Sequence, residues 1–84
     1  MRKIRFYAGR EHELTVHFEI LGGVHVVAAG DRIDVEFADS EEPCSVEHHR
    51  HALVLTQEGD GFMRVRDSAG REIDPSGEID PAAL

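Results

Sequence analysis

Apolar and polar residues alternate with a period of two along most of this chain, and the alternation is cleanest in two places. Over Glu13 to Ile20, Leu14, Val16, Phe18 and Ile20 share one face while Glu13, Thr15, His17 and Glu19 share the other. Over Arg32 to Phe37, Ile33, Val35 and Phe37 alternate with Arg32, Asp34 and Glu36. Successive side chains of a β-strand point to opposite faces, so each run predicts a strand with one buried face. Lys3 to Ala8 repeats the pattern, with Ile4, Phe6 and Ala8 on one side.

Turn chemistry links these runs. Gly30-Asp31 reads as a two-residue hairpin loop, because Gly tolerates positive φ at the first loop position. That loop would set Val26 opposite Val35 and Val24 opposite Phe37. Leu21-Gly22-Gly23 reads as a three-residue loop, which would pair Ile20 with Val24, Phe18 with Val26 and Val16 with Ala28. The three strands then form a meander with one apolar face, its core built on Leu14, Val16, Phe18, Val26, Val35 and Phe37.

Residues 38–50, ADSEEPCSVEHHR, break the pattern and read as a long polar loop, with Ser45 placed to cap a short helical turn. Strand character returns over His51 to Gln57, where Ala52, Leu53, Val54 and Leu55 put apolar side chains on both faces. A strand of that kind is covered on both sides or lies against a partner. Glu58 to Gly61 reads as a hairpin turn into a strand over Phe62 to Asp67, with two registers open. Asp67-Ser68-Ala69-Gly70 is a further turn into a brief strand at Arg71 to Ile73. About six short strands with tight turns predict an all-β fold: a small antiparallel barrel or roll, SH3-like or OB-like, over residues 1–73. Residues 74–84 read as an extended C-terminal arm, since Glu72-Ile73-Asp74-Pro75 recurs as Glu78-Ile79-Asp80-Pro81 and residues before proline favour extended backbone.

Composition narrows the classes of function. The chain has 84 residues, a net charge of −8, and 17 acidic against 9 basic side chains, which argues against nucleic-acid backbone binding. No apolar run approaches the ~20 residues of a membrane helix, and no apolar segment follows the basic start as in a signal peptide. A single cysteine, Cys44, fits a reducing compartment. These features place the protein in the cytoplasm or in a particle assembled there.

Three groups of residues carry candidate chemistry. The meander register sets Glu19, His25 and Glu36 in one outer row, a carboxylate–imidazole set that suits zinc, although cross-strand charge pairing is the commoner use of such a row. Cys44, His48, His49 and His51 offer thiolate and imidazole ligands within eight residues, and on a helix His48 and His51 would share a face. Their spacing matches no structural zinc motif. Arg64, Arg66 and Arg71 form a minor basic patch that the many acids can neutralise. No phosphate loop, nucleophile elbow or activated-cysteine signature is present.

The expectation is therefore a non-enzymatic accessory or structural protein that assembles through an edge strand and the C-terminal arm, of the kind found in phage particles. Its partner is another protein or a second copy, with Leu53, Leu55, Ile73, Ile79 and Leu84 as contact residues. The competing reading is a metal- or small-ligand-binding module that uses the Cys44–His51 segment or the Glu19, His25 and Glu36 row, with zinc as the cofactor.

Overall fold

A computed structural model of the chain describes residues 2–19, 21–38, 43–57 and 63–76. Among them, eight strands form two four-stranded sheets that face each other and do not close into a barrel. The first sheet, A, has the order β1-β4-β7-β8, where β1 is Arg2–Tyr7, β4 is Arg32–Phe37, β7 is Met63–Asp67 and β8 is Glu72–Ile73. The second, B, has the order β3-β2-β6-β5, where β3 is Gly23–Val27, β2 is Leu14–Glu19, β6 is Ala52–Gln57 and β5 is Cys44–His49. Neighbours are antiparallel except β2 and β6, which run parallel. The all-β class agrees with the sequence pattern; the two open sheets and the parallel pair replace the expected meander.

The core is the space between the two inner faces. Sheet A supplies Ile33, Val35, Phe37, Met63 and Val65, and sheet B supplies Val16, Phe18, Val27, Leu53 and Leu55. Phe18, Phe37, Ile33, Leu55, Val16, Val35 and Val65 are fully buried. Leu14 packs half-buried against this cluster, whereas Val26 is 47% exposed and lies outside it. Gln57 also points into the core opposite Cys44, and neither of its amide atoms is hydrogen-bonded to a described residue.

Two registers differ from the expected ones, each for a local reason. Gly30 (φ 79°) sits at the third position of a turn over Ala28 to Asp31, closed by the Asp31 N–H donating to the Ala28 carbonyl at 2.9 Å. Positive φ at that position makes a type II turn, whose twist splays the flanking strands instead of pairing them. β1 captures the exit: Ala8 N–H donates to the Asp31 carbonyl and Gly30 N–H to the Gly9 carbonyl, both at 2.9 Å. The chain therefore crosses from sheet B to sheet A, and β4 pairs with β1 and β7 instead of β3.

In the β2–β3 hairpin, Gly22 takes the left-handed conformation (φ 86°) and donates to the Phe18 carbonyl. The loop is one residue longer than expected, and Phe18 lies opposite Gly23 instead of Val26. A shift of three residues is odd, so it exchanges the two faces of β3. Val27 turns into the core, His25 lies on the core side, and Val24 and Val26 face outward.

The 44–49 segment is also corrected, from polar loop and helical turn to strand. Cys44 and Val46 pack against the core, and the strand pairs with β6 across a tight turn at Arg50-His51. β6 and β7 do not form a hairpin: they belong to different sheets, with Val65 opposite Val35 and Leu55 opposite Val46. The turn at Asp67 to Gly70 agrees with the sequence, its Asp67 carboxylate accepting from the N–H groups of Ala69 and Arg71. Ile20, the 58–61 turn, Phe62, Ile79 and Leu84 lie outside the described residues.

Candidate functional site

The two sheets turn very different faces outward. On sheet A the cross-strand rows are Lys3–Glu36–Arg64 and Arg5–Asp34–Arg66–Glu72, so charge alternates in sign at every step. The Arg5 guanidinium grips Asp34 through two hydrogen bonds of 2.6 and 3.1 Å. Lys3 lies 3.6 Å from Glu36, Arg64 bonds Glu72, and Arg71 lies 3.4 Å from Asp67. The Arg5 hydrogen bond holds the Asp34 carboxyl below the usual carboxylate range, and Asp34 in turn raises the guanidinium. The three arginines Arg64, Arg66 and Arg71 thus belong to ion pairs with Glu72 and Asp67.

On sheet B the outer rows are Val26–Thr15–Ala52–His49, Val24–His17–Val54–Glu47 and Glu19–Thr56–Ser45. Two of these eleven residues, Glu19 and Glu47, are acidic, and none is Lys or Arg. Val24 and Val26 are 56% and 47% exposed, and Leu21, in the turn that precedes β3, is 47% exposed. Leu53 and Leu55 point the other way, at 5% and 0% exposure, so the apolar side chains that β6 presents outward are Ala52 and Val54.

Among the described residues, β3 is an edge strand of this sheet. The Thr15 N–H donates to the His51 carbonyl at 3.0 Å, so the backbone groups of Thr15 face β6. Alternation along β2 then turns Val16 and Phe18 toward β3, which engages His25 and leaves the N–H and C=O groups of Val24 and Val26 on the side of β3 where the described residues place no further strand. The Gly23 N–H donates at 2.9 Å to the carbonyl of Pro75, which fixes the start of the C-terminal segment beside the entry to β3. Ile73 is half-buried against the core and borders a groove of about 490 Å³ with Pro75. Next to it, the Asp74 carboxyl is held low by hydrogen bonds from the Ser76 hydroxyl and N–H.

The structure does not assemble the metal-ligand sets that the sequence suggested. Glu36 is on sheet A facing Lys3 and Arg64, and His25 lies opposite Val16 on the core side, so Glu19, His25 and Glu36 share no row. In β5, Cys44 and His48 fall on one face and His49 on the other, where it lies 3.4 Å from Glu47. His51 occupies the turn in the left-handed conformation (φ 61°) and packs against His12, with ring centroids 4.2 Å apart and the rings tilted by 41°, at the rim of a groove of about 550 Å³. His12 carries no sequence signal, because the parallel β2–β6 pairing that brings it to His51 joins distant segments. Among the described residues, no three of His, Cys, Asp and Glu converge on a common point. No helix among them is long and apolar enough to cross a membrane.

Comparison with protein-family models, curated proteins and solved structures returns no match.

Proposed function

We propose that this chain is a non-enzymatic accessory or structural module of a protein assembly, and that it docks on other protein through the outer face of sheet B and the β3 edge. The observation that supports this reading is the contrast between the two outer faces. An alternating lattice of charges is a good water-facing surface but a poor docking one, since burying it would require each ion pair to be desolvated. A face of Val, Thr, Ala, Ser and His side chains with two carboxylates, Glu19 and Glu47, can be covered at less electrostatic cost, and the outward backbone groups of Val24 and Val26 can extend the sheet by strand addition. Exposed apolar side chains are ordinary singly; here Val24 and Val26 lie on the same outer face of one edge strand.

A photoactivatable amino acid placed at position 54 and, in a second protein, at position 66 tests the reading in the native host. Both positions face outward, one on each sheet. Protein adducts from position 54 and not from position 66 are expected. Equal adducts from both, or none from 54, would remove the proposal.

A further inference from the structure

We infer that the occupant of the β3 edge is a second copy of this chain, paired antiparallel about a two-fold axis at His25. The inference rests on the docking reading above and names its partner.

Among the described residues, the four edge strands are not equivalent. β1 presents Arg2, Lys3 and Arg5; β8 is only two residues long; β5 follows Pro43 and carries Glu47, His48 and His49. Charge, proline and shortness are the devices that keep sheet edges from pairing. β3, with the sequence GVHVV, has none of them.

Its central triplet, Val24-His25-Val26, reads the same in both directions. A two-fold axis through His25 sets Val24 of one copy opposite Val26 of the other, twice over. Those are the residues whose N–H and C=O groups face the open edge, so both pairs close as hydrogen-bonded pairs and contribute four backbone bonds. Sliding the register by two residues loses one of the valine pairs. On the outer face the four valines meet across the junction, and the two sheets B merge into one eight-stranded sheet. The Pro75 carbonyl engages Gly23, one residue before the paired segment, and among the described residues no strand pairs with the outer side of the triplet.

The pairing strand adds no fixed charge of its own to the contact. Two chains of net charge −8 repel, and a strand that carries no formal charge is where they can approach most closely. Because only repulsion between more distant charges opposes the contact, added salt should tighten the dimer, the reverse of an interface built on ion pairs.

The test is sedimentation equilibrium of the full chain combined with amide hydrogen exchange at Val24 and Val26. A species of twice the 9.4 kDa chain mass, with both amides protected and association tightened by salt, is expected. Val26→Lys, on the exposed face, should weaken association roughly 100-fold by placing like charges across the axis. His25→Lys should do the same from the other face, and each variant should retain the circular dichroism spectrum of the fold. A monomeric wild type whose Val24 and Val26 amides exchange freely overturns the second copy but leaves the edge open to a different protein. A monomer with both amides protected means the chain covers its own edge, and both the dimer and the edge-docking reading fall. A dimer that survives Val26→Lys and His25→Lys, or loosens with salt, pairs elsewhere and overturns this geometry.

Discussion

The outer faces of the two sheets are each built from four strands, yet they solve opposite problems. Every residue in the central rows of sheet A is charged, and every neighbour across a strand has the opposite sign. Sheet B turns outward valine, threonine, alanine and histidine, with only Glu19 and Glu47 bearing fixed charge. The −8 net charge is therefore spread unevenly over the protein's surface. Exposed cross-strand ion pairs add little to stability. What the lattice on sheet A does supply is a face that stays wetted, which leaves sheet B as the side that can be covered.

The comparison requires both sheets to share one core, and the largest expected effects test that. Phe18 from sheet B and Phe37 from sheet A are 1% and 0% exposed and face each other's sheet. Phe18→Ala and Phe37→Ala should each cost about 3–5 kcal/mol, enough to unfold a domain of this size. Denaturant melts showing that either variant keeps near-wild-type stability would mean that its sheet is not part of a common core.

Next in size is a test of which side of β3 is which. Val26 and Val27 are adjacent, but Val27 is 2% exposed and Val26 is 47% exposed. Val27→Thr buries a hydroxyl and should cost about 1–3 kcal/mol. Val26→Thr should stay within about 0.5 kcal/mol, as surface substitutions do. Equal costs, or the reverse order, would restore the face assignment that the sequence alone suggested.

That assignment shows where the sequence was legible and where it was not. Ile33, Val35 and Phe37, and Val16 and Phe18, are inward as their alternation requires, because charged or polar residues at the intervening positions leave only one face to bury. β3 has apolar residues at both parities, Val24 and Val26 against Val27, so its pattern cannot choose a face and the loop chooses instead. Two consecutive glycines, Gly22 and Gly23, could each take the left-handed position. Gly22 does, and that one-residue difference in the loop reverses the strand. β5 was hidden because only Cys44 and Val46 pack on the core while its histidines and glutamate are exposed. The candidate docking face was partly visible in the two-sided apolar character of Ala52 to Leu55. Its pairing with Val24 and Val26 depends on the β2–β6 parallel register, which leaves no local trace in the chain.

The crossing between sheets offers a smaller, cleaner test. Gly30 has φ 79°, and a methyl group added there would meet nothing within 4 Å, so its requirement is one of backbone conformation alone. Gly30→Ala should cost about 1–2 kcal/mol from the left-handed penalty. Gly9, equally uncrowded and without positive φ, is the control: Gly9→Ala should change stability by less than about 0.5 kcal/mol. If the two substitutions behave alike, the turn at Ala28 to Asp31 is not the type II crossover that separates β3 from β4.

The smallest effect belongs to the charge lattice itself, and its signature is pH dependence. Hydrogen bonding from Arg5 holds Asp34 low, and the Ser68 hydroxyl with the Arg32 N–H does the same for Asp31. A carboxyl whose pKa is lower in the folded state favours folding above its unfolded value, near 3.9, and loses that contribution as pH falls through the folded value. Both carboxylates border sheet A and are open to water, so the contribution is modest and screened by salt. The thermal midpoint should therefore be flat with respect to these two groups above about pH 5 and should decline below about pH 4. Asp34→Asn keeps the shape of the side chain but cannot titrate, so it should lower the midpoint slightly at neutral pH and make the acid decline shallower. Thermal scans from pH 2 to 7 at low and high salt check this. A decline equally steep in Asp34→Asn would show that the Arg5–Asp34 pair is not coupled to folding, and the lattice on sheet A would then matter for wetting alone.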